Sequence, residues 1–323
     1  MIDHYSRLID YMRISITDRC NLRCSYCMPD GIEKLEHESI LTYEEILRIC
    51  SCASEVGIRN IKITGGEPLV RKDAVKLISW IKALPKIEHV TLTTNGVLLE
   101  QYIDELKEIP VDGINVSLDT LNPETFEQIT GRDDYFKVWN SIQKLIESGI
   151  PAKINCVPQR GVNDQELMDI AELAVKQQID VRFIEMMPIG HGRESTGIRG
   201  EEIHEMIRGR YPGAVSTSNR RGFGPAVYIT ADDWKGNIGF ISPISHKFCS
   251  SCNRIRLTSR GFLKPCLCYG NGIDLMAAIR HGASNQEITE LITGAIRSKP
   301  LEHRLGDHNQ EDLEKNEMYK IGG

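Results

Sequence analysis

Three cysteines stand close together near the start of the chain, in Cys20-Asn-Leu-Arg-Cys24-Ser-Tyr-Cys27, a C-x-x-x-C-x-x-C spacing. Clustered thiolates are ligands for soft metals. Three of them leave one iron of a four-iron cluster, or one position of a zinc ion, without a protein ligand, and such a position can take a substrate or cofactor. A zinc site completed by a distant Cys or His is the competing reading. A second group comes late in the chain, where Cys249-Ser-Ser-Cys252 is followed after thirteen residues by Cys266. C-x-x-C alone favours a zinc ribbon. The fourth ligand is ambiguous, however, because Cys268 lies two residues beyond Cys266 and His246 three before Cys249. A second three-cysteine cluster with an open iron explains the count equally well. Arg254 and Arg256 follow two apart in a β-like run, hence on one face, and their planar donor forks suit phosphate oxygens.

A scaffold for these residues is visible in the hydropathy pattern, which alternates short apolar runs with amphipathic helical stretches. Strands are expected at 12–16, 61–64, 90–94, 114–118, 153–157 and 181–185. Helices are expected from Thr42, with Glu45 completing a capping box, and at about 73–83, 99–107, 123–148 and 164–177. Six such alternations imply a parallel α/β sheet with crossover helices. With no complete G-x-G-x-x-G after any strand, an incomplete (β/α) barrel fits better than a dinucleotide-binding sheet, and chemistry then belongs at the C-terminal ends of the strands. The first cysteine loop directly follows strand one. Gly65-Gly66-Glu67-Pro68 follows strand two, where paired glycines let the backbone approach a ligand. The rhythm breaks at about 190–200. Beyond it come a helix near 201–208, β-like segments at 226–230, 238–242 and 255–258, and helical patterns at 273–280 and 287–297, the last with a Ser284/Glu287 capping box. From about Lys299 the chain reads as polar and charged. The expected division is a partial barrel over 1–195 and an α+β region over 196–323.

Composition narrows the function. The 323 residues are 41% hydrophobic and 26% charged, enough for a sizeable core. Lys and Arg total 39 against 45 Asp and Glu, a net charge of −6, so nucleic acid is not the expected partner and any anionic ligand must be held by a local cluster of cations. No signal-peptide core or membrane-length apolar run is present. Clustered thiols without a disulfide framework point to a reducing, cytoplasmic setting. No P-loop occurs, so a nucleoside triphosphate would need another anion site. None of the nine histidines forms H-E-x-x-H. Cys50 and Cys52 in a helical pattern, and Cys156 in a strand, read as small hydrophobes.

The three-cysteine loop with Tyr26 before its last cysteine, together with the GGEP turn, resembles the radical S-adenosylmethionine (SAM) superfamily. There the open iron of a [4Fe-4S] cluster is chelated by SAM, whose reductive cleavage yields methionine and a hydrogen-abstracting 5′-deoxyadenosyl radical. Through RISITDRCNLRCSYCMP, ITGGEPLVR, TLTTNG, INVSLD, VRFIEMM, FCSSCNRIRL and the closing Gly322-Gly323, the chain is similar over nearly its full length to the GTP 3′,8-cyclase family of molybdenum cofactor biosynthesis. The resemblance implies an incomplete (β/α)6 radical SAM barrel with a C-terminal extension carrying a second iron–sulfur cluster. Cys20, Cys24 and Cys27 would hold the SAM cluster, and Cys249, Cys252 and Cys266 a second [4Fe-4S] cluster facing guanine. Tyr26, Gly66, Ser117 and Met187 match positions that line SAM. Arg13, Lys62, Thr93, Lys153, Arg254, Ile255 and Arg256 match positions that line GTP, and Arg182 lies near the triphosphate or the radical intermediate. Gly322 and Gly323 would enter the active site. The implied reaction is abstraction of the ribose C3′ hydrogen, attack of C3′ on guanine C8, and reduction to 3′,8-cyclo-7,8-dihydro-GTP. Its partners would be an electron donor and a downstream cyclic pyranopterin monophosphate synthase. The oligomeric state stays open, a homodimer being one option. Lys62 stands where the family usually has arginine, and Asn60 where some members carry a cation. A peptide-modifying radical SAM enzyme and a non-enzymatic metal sensor are the competing readings.

Overall fold

The computed structural model describes residues 1–31, 37–219, 221–305 and 313–322. Six strands, β1 (Tyr11–Ser15), β2 (Asn60–Thr64), β3 (His89–Thr94), β4 (Gly113–Ser117), β5 (Ala152–Cys156) and β6 (Asp180–Ile184), pair in chain order, all parallel. The helices α1 (Tyr43–Glu55), α2 (Ala74–Lys82), α3 (Ile103–Glu108), α4 (Pro123–Thr130), α5 (Tyr135–Ser148) and α6 (Leu167–Lys176) return the chain between them. Each strand alternates. Ile14, Ile61, Ile63, Leu92, Val116, Ile154 and Phe183 face the helices and form one continuous core, each such fully buried side chain worth about 1.5–3 kcal/mol. The other face, which becomes the barrel interior, carries polar and charged residues instead.

Beyond β6 come α7 (Gly200–Arg210), β7 (Val215–Thr217), β8 (Val227–Thr230), β9 (Ile238–Ile241), β10 (Arg254–Leu257), β11 (Phe262–Lys264), β12 (Ile273–Asp274), α8 (Leu275–Arg280) and α9 (Asn285–Arg297). These do not form a separate layer. β9 adds parallel to β6 and β10 parallel to β1, so one twelve-stranded sheet in the order β12-β11-β10-β1-β2-β3-β4-β5-β6-β9-β8-β7 runs across the division expected at 195. The six-stranded half-barrel is thus lengthened at both edges by a strand from the C-terminal region.

The expected elements recur with three differences. The helical pattern over 123–148 is broken by Gly131, a left-handed C-cap at φ 67° that ends α4 and frees α5 to turn. The 273–280 pattern opens as strand before becoming α8. β7, β11 and β12, only two or three residues each, were not expected. Both capping boxes form. Thr42 N–H donates to Glu45 at 2.7 Å and Glu45 N–H to Thr42 Oγ1 at 3.2 Å, and Ser284 and Glu287 exchange the same pair of bonds. α1 and α9, which they start, pack on each other.

Candidate functional site

The first cysteine loop leaves β1 at the C-terminal rim and is fixed by the turn after β2. Gly66 N–H donates to Thr17 O at 2.6 Å and Glu67 N–H to Arg19 O at 2.8 Å. A Cβ on Gly65 would lie 2.6 Å from Thr17 O, and one on Gly66 would fall on the Arg19 and Asp18 carbonyls. Neither glycine has room for a side chain, because the cysteine loop packs directly on this turn. Glu67 is fully buried and accepts from Leu69 N (2.9 Å), Thr94 Oγ1 (2.8 Å) and Asn95 N (2.6 Å). Burial pushes its carboxyl up to about 7 against those three donors. Asn95 in turn points Nδ2 at Asn21 Oδ1 (2.8 Å) and Cys20 Sγ (3.6 Å). The ends of β2 and β3 therefore hold Cys20 in place.

All three thiols of this loop are raised. Burial is the chief cause for each, and the neighbouring thiols add to it at Cys24 and at Cys27, which reaches about 12 although the Tyr319 N–H opposes the rise. Half-buried thiols whose thiolates would repel one another are suited to cationic metal, which stabilises all three thiolates at once. Beside them Tyr26 donates to Asp119 Oδ2 at 2.6 Å, while Val157 N–H holds Oδ1 at 2.8 Å. Burial lifts Asp119 to about 6. Tyr26, Gly66, Ser117 at the end of β4 and Met187 just past β6 all sit at this rim.

The second triad lies at the other mouth. β10 runs parallel to β1, and Cys252 precedes it, whereas the first triad follows β1. β11 returns antiparallel, carrying Cys266 back to the end where Cys252 lies. Half the site is therefore at the N-terminal ends of the strands, contrary to the expectation, about 13 Å of strand from the first triad. Here a nearby backbone N–H acts to lower each thiol, that of His303 at Cys249, Arg254 at Cys252 and Cys268 at Cys266. Burial raises Cys249. At Cys252 burial is outweighed by Arg254 and Lys299, leaving it at about 7. Cys266 falls to about 5, chiefly because the Cys268 thiol donates to it, with Lys299 and Arg256 assisting. That contact, followed by burial, raises Cys268. His246 is exposed and bound to Glu201 at 2.7 Å, so it does not complete the triad. Among the described residues no three His, Cys, Asp or Glu side chains close on a single ion. In a multi-iron cluster each iron takes its own thiolate, so the three thiols of such a site do not meet at one ion.

Between the triads the barrel wall is cationic. Arg13 pairs in register with both Lys62 and Arg256, and one row runs Thr93, Asn115, Lys153, Asp180 across β3 to β6. Arg182 Nε donates to Asn155 Oδ1 at 2.9 Å, Lys153 reaches Asp180 at 3.1 Å, and Arg13 donates to Thr64 Oγ1 at 3.2 Å. Thr93 Oγ1 accepts from Asn115 at 3.3 Å. Burial and mutual repulsion lower Arg13 to about 9 and Arg256 to about 10, and pull Lys62 well down, with Arg182, Arg13 and Lys153 contributing. Half-buried cations this crowded repel one another, and an arrangement of this kind suits a polyanion. Ile255, expected among the lining residues, instead buries its side chain in the core on the opposite face from Arg254 and Arg256, leaving only its backbone to contribute. The tail does enter this space. Gly322, left-handed at φ 72°, accepts from Arg256 Nη1 at 2.8 Å behind the buried Tyr319 and Ile321. Gly323 lies outside the described residues.

Asn95, Asp119 and Lys299 were not singled out from the sequence. Asn95-Gly96 looks like an ordinary strand terminator, and nothing local marks the other two.

Comparison with known proteins agrees with this geometry. Residues 14–174 match the radical SAM superfamily and residues 179–305 match Molybdenum Cofactor Synthesis C. Proteins named GTP 3′,8-cyclase from Desulforamulus reducens and Syntrophomonas wolfei are 46% and 45% identical, with the whole of both chains covered in each case. Streptococcus suis SuiB bound to S-adenosylmethionine has a TM-score of 0.65 at 16% identity, over 84% of this chain and 64% of that one, which speaks to the fold alone. A parallel partial barrel with three cysteines in the loop after its first strand defines a radical SAM enzyme, and that class implies SAM and a [4Fe-4S] cluster. Within the class, the chain belongs to the GTP 3′,8-cyclase family. Among the described residues no helix is long and apolar enough to cross a membrane.

Proposed function

We propose that this chain converts GTP to 3′,8-cyclo-7,8-dihydro-GTP, with Cys20, Cys24 and Cys27 holding the SAM cluster and Cys249, Cys252 and Cys266 a second [4Fe-4S] cluster that faces guanine. The observation that carries this reading is the cationic wall of Arg13, Lys62, Lys153, Arg182, Arg254 and Arg256 between two cysteine triads at opposite mouths. Bound at the first triad, cluster and SAM supply a 5′-deoxyadenosyl radical for the ribose C3′ hydrogen. The protein's part is placement. Tyr26, Gly66, Ser117 and Met187 line the SAM end. The arginines and lysines neutralise the triphosphate, so that ribose lies between the two ends, with Thr93 and the Ile255 backbone beside it. Gly322 O is held by Arg256 Nη1 and Arg182 by Asn155; the roles assigned to Arg182 and to the Gly322-Gly323 tail are to act on the reacting nucleotide. Residues 1–195 then form the radical SAM partial barrel, whose inner wall also meets the nucleotide, and 196–323 the auxiliary-cluster and GTP-binding region with the active-site tail. An external donor supplies the electron, and a cyclic pyranopterin monophosphate synthase takes the product.

Anaerobic incubation with SAM, GTP and dithionite tests the assignment. Cys24→Ala should abolish 5′-deoxyadenosine formation. Arg256→Ala should retain most SAM cleavage while losing GTP conversion by roughly 100-fold, the loss of a charge-assisted phosphate contact worth about 3 kcal/mol. Equal loss of both products in Arg256→Ala would remove the arginine from the nucleotide site. Zinc in place of iron and labile sulfide at both triads would overturn the enzyme reading altogether.

A further inference from the structure

Lys299 opens what reads in sequence as a polar tail, yet its side chain is buried, at 3% exposure. Its Nζ donates to Arg254 O and to Pro265 O, each at 2.8 Å. Arg254 lies two residues after Cys252, and Pro265 immediately precedes Cys266. One ammonium thus ties together the two segments that bring these cysteines to the same mouth. The following turn is secured independently. Arg7, buried and paired with Asp3 at 2.6 Å, donates to Cys249 O and Leu301 O at 2.9 Å and to Pro300 O at 2.7 Å. His303, two residues past Leu301, is pinned through Nε2 to Pro243 O at 2.8 Å.

A buried ammonium is costly unless an anion compensates it. Among the described residues no carboxylate lies within ion-pair distance of Lys299, whereas Arg7 has Asp3 and Lys264 has Glu314. Its two carbonyl partners belong to the segments that carry Cys252 and Cys266, so the anion placed to compensate it is the thiolate-bound cluster of the second triad. A fixed positive charge beside a cluster favours the form carrying the extra electron, and net charge and hydrogen bonding set cluster potentials.

We propose that Lys299 is a positioning residue of the second triad, clamping the Cys252 and Cys266 segments together and raising the reduction potential of the cluster they hold. This rests on the reading that the second triad binds a [4Fe-4S] cluster. The test uses the full chain with Cys20, Cys24 and Cys27 all replaced by Ala, so that only the second site can bind iron. Lys299→Met and Lys299→Arg are compared with this parent by iron and sulfide content, circular dichroism and a redox titration followed by electron paramagnetic resonance. At a fixed potential Lys299→Met should shift the reduced-to-oxidised ratio about tenfold toward oxidised, roughly 59 mV for one electron. Lys299→Arg, which keeps the charge, should stay near the parent. Loss of iron from Lys299→Met with an unchanged dichroism spectrum, restored in Lys299→Arg, would equally support the clamp. A Lys299→Met cluster titrating with the parent overturns the proposal alone, and unfolding of both variants overturns it in favour of a purely structural lysine. A parent without iron overturns the two-cluster reading and this inference with it.

Discussion

At the scale of single residues, the two triads are opposites in charge environment. The first sits among buried thiols and carboxyls, the second among arginines and a lysine. Glu67 belongs to the first set, and its titration is open to measurement. Its folded value of about 7 lies above the ordinary 4.5, so between those pH values the folded protein holds a proton that the unfolded chain releases. Stability therefore falls as pH rises across this window, by an amount on the order of 3 kcal/mol. In Glu67→Gln, which cannot ionise, the melting temperature relative to wild type should climb steadily from pH 4.5 to 7. A constant difference would mean that the three donors hold Glu67 as a carboxylate throughout.

At the scale of elements, the site depends on loops packed against loops. The turn after β2 lies against the cysteine loop so closely that Gly66 has no space for a methyl group. Gly66→Ala should push the two loops apart at a cost of about 1–3 kcal/mol. Iron per chain should drop from about eight toward about four, with little change in far-ultraviolet dichroism. Retention of all the iron would show that the loops can separate without disturbing Cys20. The helices that back these loops were largely legible from sequence, because a capping box such as Thr42/Glu45 and a 3.6-residue apolar period are read within a few positions. The short strands β7, β11 and β12 were not, since two or three residues acquire strand conformation only from the partner they meet.

At the scale of the whole molecule, the C-terminal segment must travel back to the barrel to bring Gly322 to Arg256. A fully buried pair, Lys264 with Glu314, anchors that return. Glu314 N–H donates to Cys268 O at 3.0 Å, and Arg193 donates to Glu314 O at the same distance. Lys264→Met leaves a buried carboxylate without its partner and should cost about 3–5 kcal/mol. Adding Glu314→Gln should recover part of the melting temperature. If the pair also sets the tail, Lys264→Met should lose GTP conversion more than SAM cleavage; parallel losses would confine its role to stability.

The sequence by itself determined what depends on near neighbours: both cysteine spacings, the alternation that turns Arg13, Lys62, Lys153 and Arg182 to one face, the paired arginines after Cys252, and most helices. Only the tertiary structure decided that the second triad sits at the opposite mouth from the first, that Ile255 belongs to the core, and that Lys299 is buried beneath two cysteine segments. The reason is one of range. Period and spacing act over two to four residues, whereas the register that sets Arg13 beside Arg256 is fixed by β10 adding to the free edge of β1, a pairing between segments more than two hundred residues apart that no local pattern encodes.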